Sequence, residues 1–148
     1  MSWLPKQTIV VPVDFSKQSK VAVDVALACV AGTSHVYLVH VLPVLSPVEP
    51  GVIWDTLTDA SRCESAEVSL REWLDEPKYR GCHVKTIVGD PGCEITGHAK
   101  ALAADMIVMP SHGRTGLKRL LIGSVAERVV RLAHCPVLVL RDGGDSAD

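Results

Sequence analysis

The sequence predicts an α/β protein, an open five-stranded parallel sheet with helices on both faces. Two observations predict it. Five short apolar runs, rich in Val, Ile and Leu, are spaced along the chain. Their near-continuous hydrophobicity fits strands buried on both faces rather than half-exposed ones. Between successive runs, apolar residues recur at helical spacing. Strand–helix alternation of this kind is built on a parallel sheet, with the crossover helices covering its faces. The totals permit it, since 148 residues suit one domain, and 47% apolar with 22% charged residues is an ordinary globular composition.

The elements follow in order. Residues 8–13 (TIVVPV) form the first strand, which stops at Asp14-Phe15-Ser16. Ser16 is a good N-cap for the first helix. Val21, Val25, Ala28 and Cys29 fall on one face of that helix, and Gly32 is its expected closing residue. Residues 35–42 (HVYLVHVL) are the second strand. Pro43, Ser46, Pro47, Pro50 and Gly51 make the next stretch a loop. Ile53, Leu57, Ala60, Cys63, Leu70 and Leu74 then mark a long second helix, ended by Pro77. Gly81 leads into a third strand over 82–88, and Gly89-Asp90-Pro91-Gly92 turns into a third helix marked by Ile95, Ala99, Leu102 and Ala103. Gly97 weakens that helix by up to about 1 kcal/mol relative to Ala. Met106-Ile107-Val108-Met109 is the fourth strand, residues 124–132 the last helix, and 136–141 (PVLVLR) the last strand. The domain is expected to span 1–148, with its core over 8–141 and a disordered tail over 142–148.

Several function classes are excluded at this level. A net charge of −2 carries no signal for nucleic acid or an anionic membrane. No apolar run reaches the ~18 residues of a membrane span, and the N-terminus (MSWLPKQT) turns polar at once, so a soluble cytoplasmic protein is expected. The five cysteines include no C-x-x-C pair, and the adjacent pairs Cys82-His83 and His134-Cys135 lack a partner pair at ligand spacing, so no structural metal is expected.

The functional signal lies between residues 105 and 130. A buried strand runs into a Gly-containing polar loop, and the loop into a helix that opens at Gly123-Ser124. That order makes an anion pocket. A loop backbone without Cβ can approach a phosphate, and the first helical N–H groups point at it unpaired. Arg114, Lys118 and Arg119 add positive charge, or form a plain solvated surface. In open parallel sheets ligands bind beyond the carboxyl ends of the strands. The residues there are Asp14 after the first strand, Val41 and Leu42 at the end of the second, and Pro110 to Gly113 after the fourth.

With these residues in hand, the chain resembles the universal stress proteins over nearly its whole length. The features that carry the resemblance are Pro12-Val13-Asp14, His40-Val41, Gly89-Asp90-Pro91, and Ser111-His112-Gly113 followed after nine residues by Gly123-Ser124-Val125 and a final CPVLVLR strand. The resemblance implies a Rossmann-like sheet of order 3-2-1-4-5 and homodimers formed through the fifth strand, here 136–140. It also implies ATP or another adenine nucleotide as ligand, with Mg²⁺ or Mn²⁺ beside the phosphates. Carried onto this chain, Pro12, Val13 and Asp14 belong to the ribose end, with Asp14 bonding the hydroxyls, and Val41 lines the adenine pocket. Met109, Pro110, Ser111, His112 and Gly113 border ribose and phosphates. Gly123, Ser124 and Val125 offer backbone N–H groups, and Ser124 its hydroxyl, to phosphate. One position departs from the ATP-binding pattern, because Pro110 stands where the family has its first glycine. Proline has no N–H, so a phosphate contact is lost if that glycine donates, and nothing is lost if it only turns the chain.

Each of these residues also has a plainer reading. Asp14 could cap the first helix or close an Asx turn. Gly123-Ser124 could be only a helix start, His112 could shape its loop or act as a base, and His40 reads as a satisfied core histidine. Glu127 and Arg131 have helix-pair spacing, worth ~0.2–0.5 kcal/mol. Three functions therefore compete. The first is a non-catalytic nucleotide-binding stress regulator. The second is a slow ATPase, against which stands the lack of a Walker motif. The third is a dimeric interaction module that binds no nucleotide.

Overall fold

The computed structural model describes residues 3–48, 50, 58–112 and 122–141. In chain order the elements are β1 (Ile9–Pro12), α1 (Lys17–Ala28), β2 (Val36–Leu42), α2 (Asp59–Trp73), β3 (His83–Val88), α3 (Pro91–Ala101), β4 (Met106–Pro110), α4 (Ser124–Leu132) and β5 (Val137–Leu140). The strands form one parallel sheet in the expected order, β3-β2-β1-β4-β5. Ile53, Leu57, Gly113, Arg114, Lys118, Arg119 and the tail lie outside the described residues. Among the described residues, no helix is long and apolar enough to cross a membrane.

Alternate side chains of each strand serve opposite layers. Ile9, Val11, Leu38, Met106 and Val108 pack with Ala22, Val23 and Ala26 of α1 and Leu70 of α2. Val10, Val39, Ile107 and Met109 meet Ile95 and Ala99 of α3 and Ala126 and Val129 of α4. Ile9, Leu38, Leu70 and Ile107 are fully buried, and each contributes about 1.5–3 kcal/mol by leaving water.

Three local expectations are corrected. The buried face of α1 is Ser19, Ala22, Val23 and Ala26, whereas Val21 is 53% exposed. Small residues let the helix lie close to the sheet, and the polar Ser19 can be buried because its hydroxyl bonds Asp14 and Ser16. Gly32 does not close α1. The helix ends at Cys29, whose N–H bonds the Ala26 carbonyl, because the next residue, Val30, leaves to bridge Lys6 in parallel pairing. Residues 33–35 form a 3-10 turn, so the second strand begins at Val36 rather than His35. The described part of the second helix starts with a capping box between Thr58 and Ser61.

The two sheet edges differ. Gly89 donates to the Leu42 carbonyl, so by strand alternation Thr86 turns its N–H away from β2. Glu67 of α2 accepts that N–H at 3.1 Å. On β5, Ile107 and Ser111 donate to Pro136 and Leu140, which leaves Val137 and Val139 facing outward. No hydrogen bond covers their outward amides among the described residues.

Between β1 and β4 the ladder stops early. Its register runs only through Ile9↔Met106 and Val10↔Ile107. Val13 donates to Val39 on β2, so Pro12 faces β4. Ser111 donates to Leu140 on β5, so Pro110 faces β1. The next two donors across this seam would be the N–H groups of residues 12 and 110, and both are prolines, which have none. The hydrogen bonding of the ladder lapses here, leaving an unbonded seam at the carboxyl ends of the two strands.

Candidate functional site

The unbonded seam between β1 and β4 is flanked by the segments into which the two strands run, Val13-Asp14-Phe15 on one side and Ser111-His112 on the other. Asp14 sits in a dense local network. Its Oδ1 accepts from the Ser16 amide at 3.1 Å and from the Ser19 hydroxyl at 2.6 Å. Its own amide donates to Ser19 Oγ at 3.0 Å. Ser16 Oγ accepts from the Ser19 amide at 3.1 Å and so caps α1. The Asx-turn reading of Asp14 is therefore realised, and the same bonds hold the carboxylate in one orientation. Phe15 follows with φ of 66°, a left-handed conformation that costs a residue with Cβ about 1–2 kcal/mol. Its ring packs at 5.1 Å, edge-on, against His40 and at 5.5 Å against Trp73. His40 Nδ1 lies 2.7 Å from the Val13 carbonyl, which makes Nδ1 the protonated nitrogen. The reading of His40 as a satisfied histidine holds.

Across the seam, Ser111 is buried and joins three elements. Its amide donates to Leu140, its carbonyl accepts from Gly123 at 2.6 Å, and its Oγ lies 3.2 Å from His112 Nδ1. His112 Nε2 is buried and has no hydrogen-bond partner among the described residues. Gly123 is the N-cap residue of α4, with φ of −74°. A Cβ there would stand 2.9 Å from the Ser111 carbonyl oxygen. Glycine is thus required by the close approach of the two backbones, and its N–H is committed to Ser111. The donors that remain at the helix start are those of the first turn. Ser124 and Val125 are exposed and point their amides away from the helix body, without an intrahelical acceptor. The helix dipole adds positive potential there.

Val41 and Met109 lie on the sheet face covered by α3 and α4, at the same end as Asp14, Ser111 and Gly123. Pro12, Val13, Met109 and Pro110 are buried and lie beside the seam. Gly113, Arg114, Lys118 and Arg119 fall outside the described residues. Ser19 is a site-supporting residue that sequence reasoning did not single out. Its signal was its position, three residues after the cap Ser16 and five after Asp14.

A further polar cluster stands at the start of α3, at the same end of the sheet. Asp90 caps that helix through the Cys93 amide at 3.0 Å. Arg128 of α4 reaches Asp90 Oδ2 at 3.4 Å and Cys93 Sγ at 3.3 Å. The Cys93 amide, then its side chain and Arg128, hold the Asp90 carboxyl below the usual carboxylate range. Gly92 leaves room for this arginine, since a Cβ would meet its side chain at 2.5 Å. This cluster ties α3 to α4 and so fixes the helix that opens at Gly123.

Comparison with known proteins places this geometry. The universal stress protein family model matches residues 6–141. Universal stress protein MJ0531 of Methanocaldococcus jannaschii is 36% identical over 139 residues, covering 90% of this chain and 81% of that protein. The solved structure of MJ0577, from the same organism, superposes with a TM-score of 0.76 at 30% identity, covering 96% of this chain and 100% of that one. A universal stress protein in complex with cAMP shares the fold with a TM-score of 0.64 at 23% identity, covering 92% of this chain and 97% of that one.

Proposed function

The chain belongs to the universal stress protein family, and we propose that it acts there as a non-catalytic regulator that binds an adenine nucleotide at the seam between β1 and β4. One observation carries this reading. At a seam where the β1–β4 ladder lapses, an oriented carboxylate, Asp14, stands on one side and the first turn of α4, without intrahelical acceptors for its amides, beyond the other. A carboxylate accepts from ribose hydroxyls, and helix-start amides donate to phosphate. The cAMP complex of a protein of the same fold is in line with an adenine nucleotide as ligand.

The residues take separate roles in this reading. Asp14 bonds the ribose, and Val41, with Met109, borders the base. The amides of Ser124 and Val125, with the Ser124 hydroxyl, hold phosphate. Gly123 acts by bringing the helix start against Ser111 rather than by donating its own N–H. Pro12 and Pro110 keep the seam unbonded. A triphosphate would carry Mg²⁺ or Mn²⁺ with it, held mainly by its own oxygens. The protein would work in the cytoplasm, as a homodimer joined through the outward amides of Val137 and Val139. Leu138, Val130 and Leu132, respectively 38%, 50% and 47% exposed, supply apolar surface on β5 and the neighbouring helix.

The ground-state phosphates have donors here, and among the described residues no group is placed to bind a transition state more strongly, so negligible turnover is expected. The test is mass spectrometry of small molecules released on denaturing the purified protein, followed by calorimetry with ATP and Mg²⁺ and a phosphate-release assay. Absence of both co-purified nucleotide and millimolar binding would overturn the reading in favour of a dimeric interaction module. Phosphate release near ~1 s⁻¹, the low end of ordinary turnover, would favour an ATPase.

A further inference from the structure

We propose that His40 is the positioning residue for Asp14, gripping the chain on both sides of the carboxylate through the Val13 carbonyl and the Phe15 ring. The inference rests on the ribose role given to Asp14 above. Asp14 stands between two residues that His40 touches. On its N-terminal side, His40 Nδ1–H donates to Val13 at 2.7 Å. On its C-terminal side, the imidazole meets the Phe15 ring edge-on at 5.1 Å. Phe15 has a left-handed backbone, which a side chain with Cβ keeps only where its surroundings hold it. Trp73 closes the other side of that ring at 5.5 Å. His40 is carried on β2, whose register with β1 runs from Ile9↔Val36 to Pro12↔Val39. The grip therefore comes from the rigid sheet and not from the loop itself.

The bond needs a proton on Nδ1, and both the neutral tautomer so protonated and the imidazolium supply it. The device is one of orientation, with no charge change in it. It fixes where Asp14 starts, and the Ser16 and Ser19 bonds then fix where its carboxylate points. A wandering carboxylate would lose its aim at the ribose hydroxyls.

Two variants separate the hydrogen bond from the ring. His40→Phe keeps a ring against Phe15 and removes the donor, whereas His40→Asn keeps a donor at nearly the same place. The first measurement uses no ligand. Amide exchange of Ser16, whose N–H bonds Asp14 Oδ1, should quicken about tenfold in His40→Phe, the equivalent of one modest hydrogen bond. In His40→Asn, which keeps the donor and loses only the ring contact, it should quicken by less, and the Val13 amide on the β1–β2 ladder should be unchanged in both. The second measurement is calorimetry with ATP and its dideoxyribose analogue. His40→Phe should weaken ATP about tenfold and leave the analogue within about twofold. A general loss of structure would weaken both alike. Unchanged Ser16 exchange in His40→Phe, or equal acceleration in His40→Asn, would overturn the proposal. Wild-type protein that binds ATP and the analogue equally would instead remove the ribose role of Asp14, while the exchange data would still report whether His40 positions it.

Discussion

Replacing Gly123 with alanine should destabilise the protein whether or not any ligand is present. The backbone there, with φ of −74° and ψ of 163°, is open to any residue, so strain is not the reason. The obstacle is the Ser111 carbonyl oxygen, 2.9 Å from where the new Cβ would stand, with His112 Cα behind it at 3.6 Å. Both are backbone atoms and cannot rotate away. The helix start must move off by a few tenths of an ångström, which stretches the 2.6 Å bond from the Gly123 amide to Ser111. Forcing a methyl into such a contact costs ~1–3 kcal/mol. The lost flexibility of the unfolded chain returns ~0.4–1 kcal/mol. The net is a loss of about 1 kcal/mol, or ~3 °C in Tm for a chain of this size. Gly97 is the control, because it lies mid-helix in α3 with nothing within 4 Å of its Cβ position. Gly97→Ala should raise Tm by a similar amount, from a gain of ~0.5–1 kcal/mol. Thermal melts followed by far-ultraviolet circular dichroism read both. If the two substitutions shift Tm in the same direction, the reasoning about Gly123 is wrong.

Pro110→Gly restores an N–H that faces the seam. It should leave ATP affinity unchanged, or raise it by up to about tenfold where the proline costs one phosphate hydrogen bond, and lower stability by ~0.4–1 kcal/mol through chain entropy; a fall in affinity on calorimetry would show that the proline matters more than the donor. The alkaline limb of the stability profile should depend on Asp24. Lys78 is pushed up to about 12 by its bonds to Tyr79 and then Asp24, and the Tyr79 phenol is pushed up by burial and then Asp24. Both protonated forms are favoured by the fold, so their contribution is full below the ordinary tyrosine and lysine values and is lost as pH rises towards 12. Asp24→Asn should flatten that decline in denaturant titrations across alkaline pH, and a slope as steep as wild type would refute the assignment. Val139→Lys should convert dimers to monomers or insoluble protein, measured by light scattering; a wild type that scatters as a monomer at micromolar concentration would end the β5 proposal.

The strands were readable because burial on both faces leaves no polar position to confuse the pattern. Val10, Val11, Ile107 and Val108 are all fully buried, and they stand in unbroken apolar runs. The first helix was misphased for the opposite reason. Ser19 reads as a surface residue, yet it is 1% exposed, since Asp14 and Ser16 occupy its hydroxyl. Counting it as polar rotates the apparent apolar face onto Val21. Asp14 and Gly123 were legible as candidate site residues because each stands at a strand or helix terminus. Their physical roles were not. That the Gly123 amide is committed depends on Ser111, twelve residues earlier, and the support of Asp14 comes from His40 on another strand. Glu67 shows the same limit, since its role as cover for the Thr86 amide exists only once α2 is laid beside β3.

The paired prolines at the seam of β1 and β4 have a consequence for the ensemble as a whole. A cleft held apart by side-chain packing can anneal, because two bare strand ends carry matching donors and acceptors that reward closure. Here the rewards are missing from the covalent structure. The carbonyls of Val108 and Pro12 face prolines and meet no opposing N–H, so continued pairing at this seam gains neither hydrogen bond. A ligand bound at this seam, as proposed, would meet it already unpaired, and its binding should leave the backbone of both strands where it already lies.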